Sequence, residues 1–286
     1  MFGGFDTIDV ALDGATIHAR VGGRGEPLLL LHGFPQTHAM WHPIAGDLAR
    51  NRTVVAADLR GYGDSIAQDG DLSFRAMAAD QVGLMQRLGH SSFDVVAHDR
   101  GARTAHRMVL DHPQAVRSVA LLDILPTLDV WRTMDGWLAQ RYYHWMFLSQ
   151  PGGLPERLIA ADPVFYLHSA LTGLAGTQAV FSDAAMAAYE RAARKPGVVA
   201  AWCADYRAAA TTDLDHDRGD LGRTSAIPCL ILWGSRGVVA RHLDPLDAWR
   251  AWFPAARGHA VDAGHFLVEE RPAEVLAAIT RHLSRE

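Results

Sequence analysis

Short apolar runs rich in leucine or β-branched residues recur along the chain: PLLLLHG at 27–33, TVVAADLRG at 53–61, SFDVVAHD at 92–99, VRSVALLDIL at 116–125 and IPCLILWG at 227–234. The apolar residues in each run are largely continuous, the pattern of a strand buried on both faces. Helical patterns separate several of them, FRAMAADQVGLMQRLG at 74–89 being the clearest. Buried strands joined by helical crossovers predict an α/β core with a mostly parallel sheet wrapped in helices. Ahead of the series, residues 7–22 alternate around Asp13-Gly14, which predicts an opening hairpin.

The rhythm breaks between about Pro126 and Asp215. That stretch carries Trp131, Trp137, Tyr142, Tyr143, Trp145 and Trp202 in a mainly helical context, and no buried strand follows until the run at 227. The reading is a helical cap over 126–215, inserted into a core made of 1–125 and 216–286. Ligands of such sheets bind outside the carboxyl ends of the strands, which here lie beneath the cap.

Composition narrows the class of ligand. A chain of 286 residues with 49% hydrophobic content suits one large domain or a core with an insertion. The net charge of -5 is scattered, which argues against nucleic-acid partners and polybasic membrane contacts, so a small-molecule ligand is expected. Two cysteines, Cys203 and Cys229, make no disulfide framework, and the N-terminal stretch has neither a basic leader nor an apolar core region. No apolar run approaches the ~18 residues of a membrane span. The expected location is cytoplasmic.

The candidate chemistry centres on VVAHDRGARTAHRM, 95–108, where a strand pattern turns into a helical one. Ala97 and Gly101, two places either side of Asp99, permit a strained turn that lifts the central side chain into a pocket. Many hydrolases present a serine at such a turn and need a histidine to take its proton, whereas a carboxylate is already ionised and attacks carbon directly. Asp99 is therefore the candidate nucleophile, with a pKa kept low by the helix N-terminus, Arg100 and Arg103. Asp99 could instead be a helix N-cap with Arg103 as its i+4 partner. Against that stands Arg100, a cation in the first helical turn with no acid three or four places away, which something anionic should offset. Arg100 and Arg103 lie three apart on one face, a fork suited to a bound carboxylate. Arg107, with Asp111 four residues on, reads as an ordinary surface pair.

Other segments supply possible partners. The first parallel run ends in His32-Gly33-Phe34-Pro35, where the amides of Phe34 and Arg100 would form an oxyanion hole, although a plain Gly-Pro turn would look the same. His32 reads as structural. His265, in DAGHFLVEERP at 262–272, follows a small-residue turn and precedes a helix, the place for a general base, with His259 as the competitor. No acid follows the 227–234 run, so Asp123 is the candidate orienting acid, or else a solvated strand-end aspartate. This chemistry calls for no metal and no organic cofactor.

With Asp99, Asp123 and His265 in that order, the chain resembles the α/β-hydrolases, and the fluoroacetate dehalogenases in particular. The resemblance runs along nearly the whole chain through HGFPQTHAMWH, DLRGYGDS, HDRGAR, LLDILPT, YYHWMFL, DYR and GHF. HGFP and GYGDS are widespread, while HDRGAR together with HW in the cap is specific. The resemblance implies an α/β-hydrolase core with an inserted helical cap, Arg100 and Arg103 holding a substrate carboxylate, His144, Trp145 and Tyr206 binding halide, and a homodimer. An imidazole, an indole N–H and a phenol can each donate to a strongly basic fluoride. Without the resemblance, the His144-Trp145 pair reads as core packing.

One departure is visible in FYLHSALTGLAGT, 165–177, which has no tryptophan where the family carries one. Leu174 falls near that place, so room beyond an acetate-sized acid is expected. The implied activity is hydrolytic dehalogenation of a small 2-haloacid such as fluoroacetate or chloroacetate. An epoxide hydrolase using the same triad, with Tyr142 or Tyr143 and Tyr206 activating the ring oxygen, is the alternative, and a non-catalytic small-acid-binding protein of this fold is a third.

Overall fold

The protein is described from a computed structural model, which covers residues 1–284. The opening hairpin forms as β1 (Asp6–Leu12) and β2 (Ala15–Gly22), paired antiparallel from Leu12 opposite Ala15 outward. Gly14 makes its turn at φ +76°, a conformation that costs glycine little. The predicted apolar runs become β3 (Glu26–Leu31), β4 (Arg52–Ala57), β6 (Phe93–His98), β7 (Val116–Leu122) and β8 (Cys229–Gly234), with a two-residue β5 (Ile66–Ala67) pairing with β2. Sequence patterning missed β9 (Arg257–Val261), because Arg257, His259 and Ala260 are exposed on an edge strand and show no buried run.

The strands lie in the order β1-β2-β4-β3-β6-β7-β8-β9, parallel from β4 to β9. Leu28, Leu29, Leu30 and Leu31 of β3 are fully buried, since helices cover both faces. Burying each such side chain stabilises the fold by about 1.5–3 kcal/mol. The chain passes from β3 to β4 on one side and to β6 on the other, so a crevice opens between the carboxyl ends of β3 and β6. Register places Leu31 beside Ala97, Ala97 beside Leu121 and Leu121 beside Ile231, so the loops leaving four strands emerge together.

Between β7 and β8 the described residues form eight helices, from Thr127–Arg132 to Thr212–Gly219. The last of these runs through the expected boundary at Asp215. Among the described residues no single helix is long and apolar enough to cross a membrane. Cys203 and Cys229 are buried free thiols.

The structure corrects one expectation about surface charge. Arg107 is buried, not a surface residue, and its guanidinium pairs with Asp220 as well as with Asp111 at 3.1 Å. Asp220 follows the last inserted helix, a partner more than a hundred residues away that helical spacing does not reveal.

Candidate active site

Asp99 opens the helix Asp99–Asp111 directly after β6. Its φ is +46°, and Asp123 has φ +50°; among the described residues these are the two non-glycine positions with positive φ. Such backbone costs on the order of 1–3 kcal/mol per residue and persists only where the surroundings enforce it. The turn is enforced by close approach. A Cβ on Gly33 would lie 2.4 Å from the Asp99 Cβ, and one on Gly101 would lie 2.4 Å from the His32 carbonyl oxygen. Both places therefore need glycine, and Gly101 N–H donates to that same carbonyl at 2.9 Å.

The oxyanion loop meets the turn directly. Phe34 N–H donates to Asp99 Oδ1 at 2.8 Å, across a cis Phe34-Pro35 segment. Burial pushes the Asp99 carboxyl up, but His265 and His98, then Arg103 and Arg100, pull it down to about 2. His98 is itself held near 3 by burial and is neutral at pH 7, so His265 and the arginines are the effective cations there. Asp99 is an anion throughout the neutral range.

His265 lies on the loop after β9. Its Nδ1–H donates to Asp123 Oδ2 at 2.6 Å, and Asp123 Oδ1 accepts from Gly234 N–H at 2.9 Å. Burial disfavours the imidazolium, but the hydrogen bond and charge of Asp123, with Asp99 and Glu270 behind it, raise the His265 pKa above its ordinary value. Behind it, the neutral His98 donates Nε2–H to the His265 carbonyl at 2.9 Å, and the two rings sit 4.5 Å apart. Asp123 is thus a buried partner, not a solvated strand end. His259 is exposed on β9, and His32 is a buried brace whose Nε2 accepts from Leu59 N–H at 3.1 Å.

Asp99 and His265 share one narrow cavity, lined also by Phe34, Arg103, Tyr142, His144, Trp145, Leu174 and Tyr206. Burial keeps His144 neutral, with a pKa near 3, and holds the Tyr206 phenol well above its ordinary value. The cavity lining therefore includes neutral donors. Tyr143, by contrast, is nearly half exposed and does not line the cavity.

The arginine fork is asymmetric. Arg103 lines the cavity with its guanidinium 4.7 Å above the Trp145 ring, and its Nη1 donates to the Leu125 carbonyl and Thr127 Oγ1, each at 2.9 Å. Arg100 is fully buried and does not line the cavity; Asp205 pairs with its Nε and Nη2, and the Tyr206 ring packs 4.2 Å away. The expected anionic offset for Arg100 is thus a protein carboxylate. What the two arginines keep in reserve is small: Arg100 Nη1 and Arg103 Nε are buried without a protein acceptor. Buried guanidinium N–H groups rarely go unpaired without cause.

Sequence reasoning missed Asp205, His98 and Glu270. Asp205 lay in the quoted DYR but carried no spacing signal, and the other two act through backbone contacts that no pattern reports. A separate grouping, His18, His38 and Asp58, has ligand atoms within 4.8 Å of one another, the distance at which a metal ion could be held. Asp58 is already occupied there: it accepts from His38 N–H at 2.7 Å, His38 Nδ1 at 2.9 Å and Asp64 N–H at 2.8 Å. That grouping is explained as a brace for the loop after β4.

Comparison with known proteins agrees with this architecture. Residues 26–272 match the family model of the alpha/beta hydrolase fold. The chain is 42% identical to a fluoroacetate dehalogenase from Burkholderia sp., over 99% of this chain and 95% of that one. It is 32% identical to a soluble epoxide hydrolase from Corynebacterium sp. strain C12, over 93% and 92% of the two chains. A crystal structure assigned to the alpha/beta hydrolases from Nostoc sp. PCC 7120 superposes with a TM-score of 0.97 at 47% identity, covering all of both chains. The chain belongs to the α/β-hydrolase family, and its resemblance to fluoroacetate dehalogenase extends along its whole length.

Proposed function

We propose that this protein hydrolyses the carbon–halogen bond of a small 2-haloacid such as fluoroacetate or chloroacetate. The observation that carries the reading is the pairing, in one cavity, of an ionised Asp99 on a strained turn with a guanidinium from Arg103. An anionic nucleophile needs no base, and a cationic wall selects a substrate that is itself a carboxylate. The similarity to a fluoroacetate dehalogenase supports the same substrate class. The helical insertion acts as the cap that closes the cavity.

The first step is displacement. An Asp99 carboxylate oxygen attacks the α-carbon opposite the halogen, an ester bond forms, and the halide leaves with the bonding pair. Arg103 holds the substrate carboxylate, with the buried Arg100 charge behind it, while His144, Trp145 and Tyr206 donate to the departing halide.

The second step releases the product. His265, oriented by Asp123, takes a proton from water as its oxygen adds to the Asp99 carbonyl carbon. The amides of Phe34 and Arg100 hold the resulting oxyanion. Collapse expels the 2-hydroxy acid, whose oxygen takes the proton held by His265, and the Asp99 carboxyl, now carrying one oxygen from water, loses its remaining proton to solvent to restore the carboxylate. Esterification also removes the Asp99 charge, one of the influences that raise the His265 pKa, so the base becomes more available when it is needed.

A second reading is favoured by Tyr142 and Tyr206, which both line the cavity as an epoxide hydrolase would require. One experiment separates the two. Halide release is measured from fluoroacetate, chloroacetate and 2-chloropropionate, beside epoxide and ester hydrolysis, with Asp99→Ala as the blank. His265→Asn should accumulate an ester on Asp99, visible as added mass. Turnover of the epoxide alone would overturn the dehalogenase reading, and binding of haloacids without halide release would indicate a non-catalytic receptor.

A further inference from the structure

Glu270 follows His265 by five residues and closes the short helix Leu267–Glu270. Its side chain turns back onto the histidine loop. Gly264 N–H donates to Glu270 Oε2 at 2.7 Å and Phe266 N–H donates to Oε1 at 3.1 Å, so one carboxylate takes the amides on both sides of His265. Gly264 makes room for this approach, since a Cβ there would come within 3.0 Å of Oε1. The Arg236 guanidinium lies 3.4 Å from Oε2 and links the clamp to the loop after β8. The side chain is only 5% exposed, which preserves the strength of these charge-assisted bonds.

We propose that Glu270 is a positioning residue for the hydrolytic half of the reaction: it fixes the His265 loop through two backbone amides and places a second negative charge behind the imidazole. This inference rests on His265 being the base. Asp123 orients the ring through Nδ1, whereas Glu270 sets where the ring's backbone stands, so the two constraints are independent. The titratable groups facing His265 are Asp123, Asp99 with its neighbour His98, His144 and Glu270, from four different segments. Of the two acids in the helix Leu267–Glu270, Glu269 is turned away toward Gln36 and Tyr189, leaving Glu270 as the one that acts on the loop. The first displacement uses Asp99 and does not require the loop to be held.

The test is to time the two half-reactions separately across pH in a rapid-mixing experiment with chloroacetate, following chloride release for the first and loss of the Asp99 adduct by mass for the second. Glu270→Gln removes the charge and one of the two acceptors. The expected result is adduct breakdown slowed by roughly tenfold or more, with its acid limb moved to lower pH and the chloride burst unchanged. Glu270→Asp keeps the charge on a shorter side chain and should slow breakdown while moving that limb less. Equal slowing of both half-reactions, or no movement of the limb in Glu270→Gln, would overturn the proposal. A parallel His265→Asn sample keeps the two readings apart. If its adduct fails to persist, the base assignment itself is wrong; if it persists while Glu270→Gln behaves as the unmodified protein, only the role of Glu270 is lost.

Discussion

Asp205 grips Arg100 across the junction between the sheet and the helical insertion. Its carboxylate takes the arginine Nε at 2.8 Å and the Nη2 besides, its carbonyl accepts from the same Nη2 at 3.0 Å, and Tyr62 donates to the carboxylate at 2.6 Å. All three residues are fully buried. Removing one partner of such a pair strands the other charge, which costs about 3–5 kcal/mol. Asp205→Ala should destabilise the protein by that amount in urea unfolding and should raise KM for haloacids, because Arg100 would lose its orientation. Unfolding at the unmodified urea midpoint would show that the pair contributes little.

Arg103 keeps its place through Leu125 and Thr127 and turns the rest of its guanidinium toward the cavity. A charged hydrogen bond to a bound carboxylate is worth about 1.5–3 kcal/mol, so Arg103→Met should lower kcat/KM for chloroacetate by roughly tenfold to a hundredfold. Chloroacetamide, which has no carboxylate, should lose far less. Equal losses for the two substrates would remove Arg103 from substrate recognition.

The two chemical steps should respond differently to pH. Asp99 remains ionised down to about pH 2, so the displacement step is expected to be flat across the neutral range. His265 must be neutral to take a proton, so ester hydrolysis should rise with pH as His265 deprotonates, through a midpoint lower than that of His265 in the free enzyme because the ester no longer carries the Asp99 charge. Single-turnover rates on either side of neutrality check both limbs. A pH-flat second step would exclude His265 as the base.

Glu269 accepts from Gln36 at 2.5 Å and from Tyr189 at 2.9 Å, and burial pushes its carboxyl from 4.5 up to about 8. The folded protein thus holds a proton that the unfolded chain releases. Its contribution to stability is full below about pH 4.5 and is lost as pH rises through about 8. Glu269→Gln mimics the protonated form and should flatten that decline, read as Tm against pH.

Leu174 lines the cavity. Leu174→Trp should tighten the wall and lower kcat/KM for 2-chloropropionate more than for chloroacetate, by about tenfold in the ratio, since one methyl group in a tight apolar pocket carries about 1–3 kcal/mol of discrimination. An unchanged ratio would mean that chain length is sensed elsewhere.

Patterning reached the frame of the molecule because burial leaves a direct trace in it. Five continuous apolar runs became five central strands, and small residues around Asp99 marked a turn whose strain the backbone displays. β9 escaped because an exposed edge strand leaves no apolar run. Arg107 was misjudged because its i+4 neighbour looked sufficient, while burial beside Asp220 depended on how the insertion rejoins the core.

The amino-acid sequence alone determined which residues could react: an aspartate at a strand-to-helix turn, a histidine before the last helices, two arginines one helical turn apart. Those follow from residue type and local spacing, which are short-range properties. Tertiary structure decided how they are divided in use. Asp205, about a hundred residues from Arg100, occupies most of that guanidinium and leaves Arg103 to face the cavity, and Glu270 clamps the His265 loop through backbone amides. Both are contacts between side chains and groups that local pattern does not encode, because they exist only when distant segments pack.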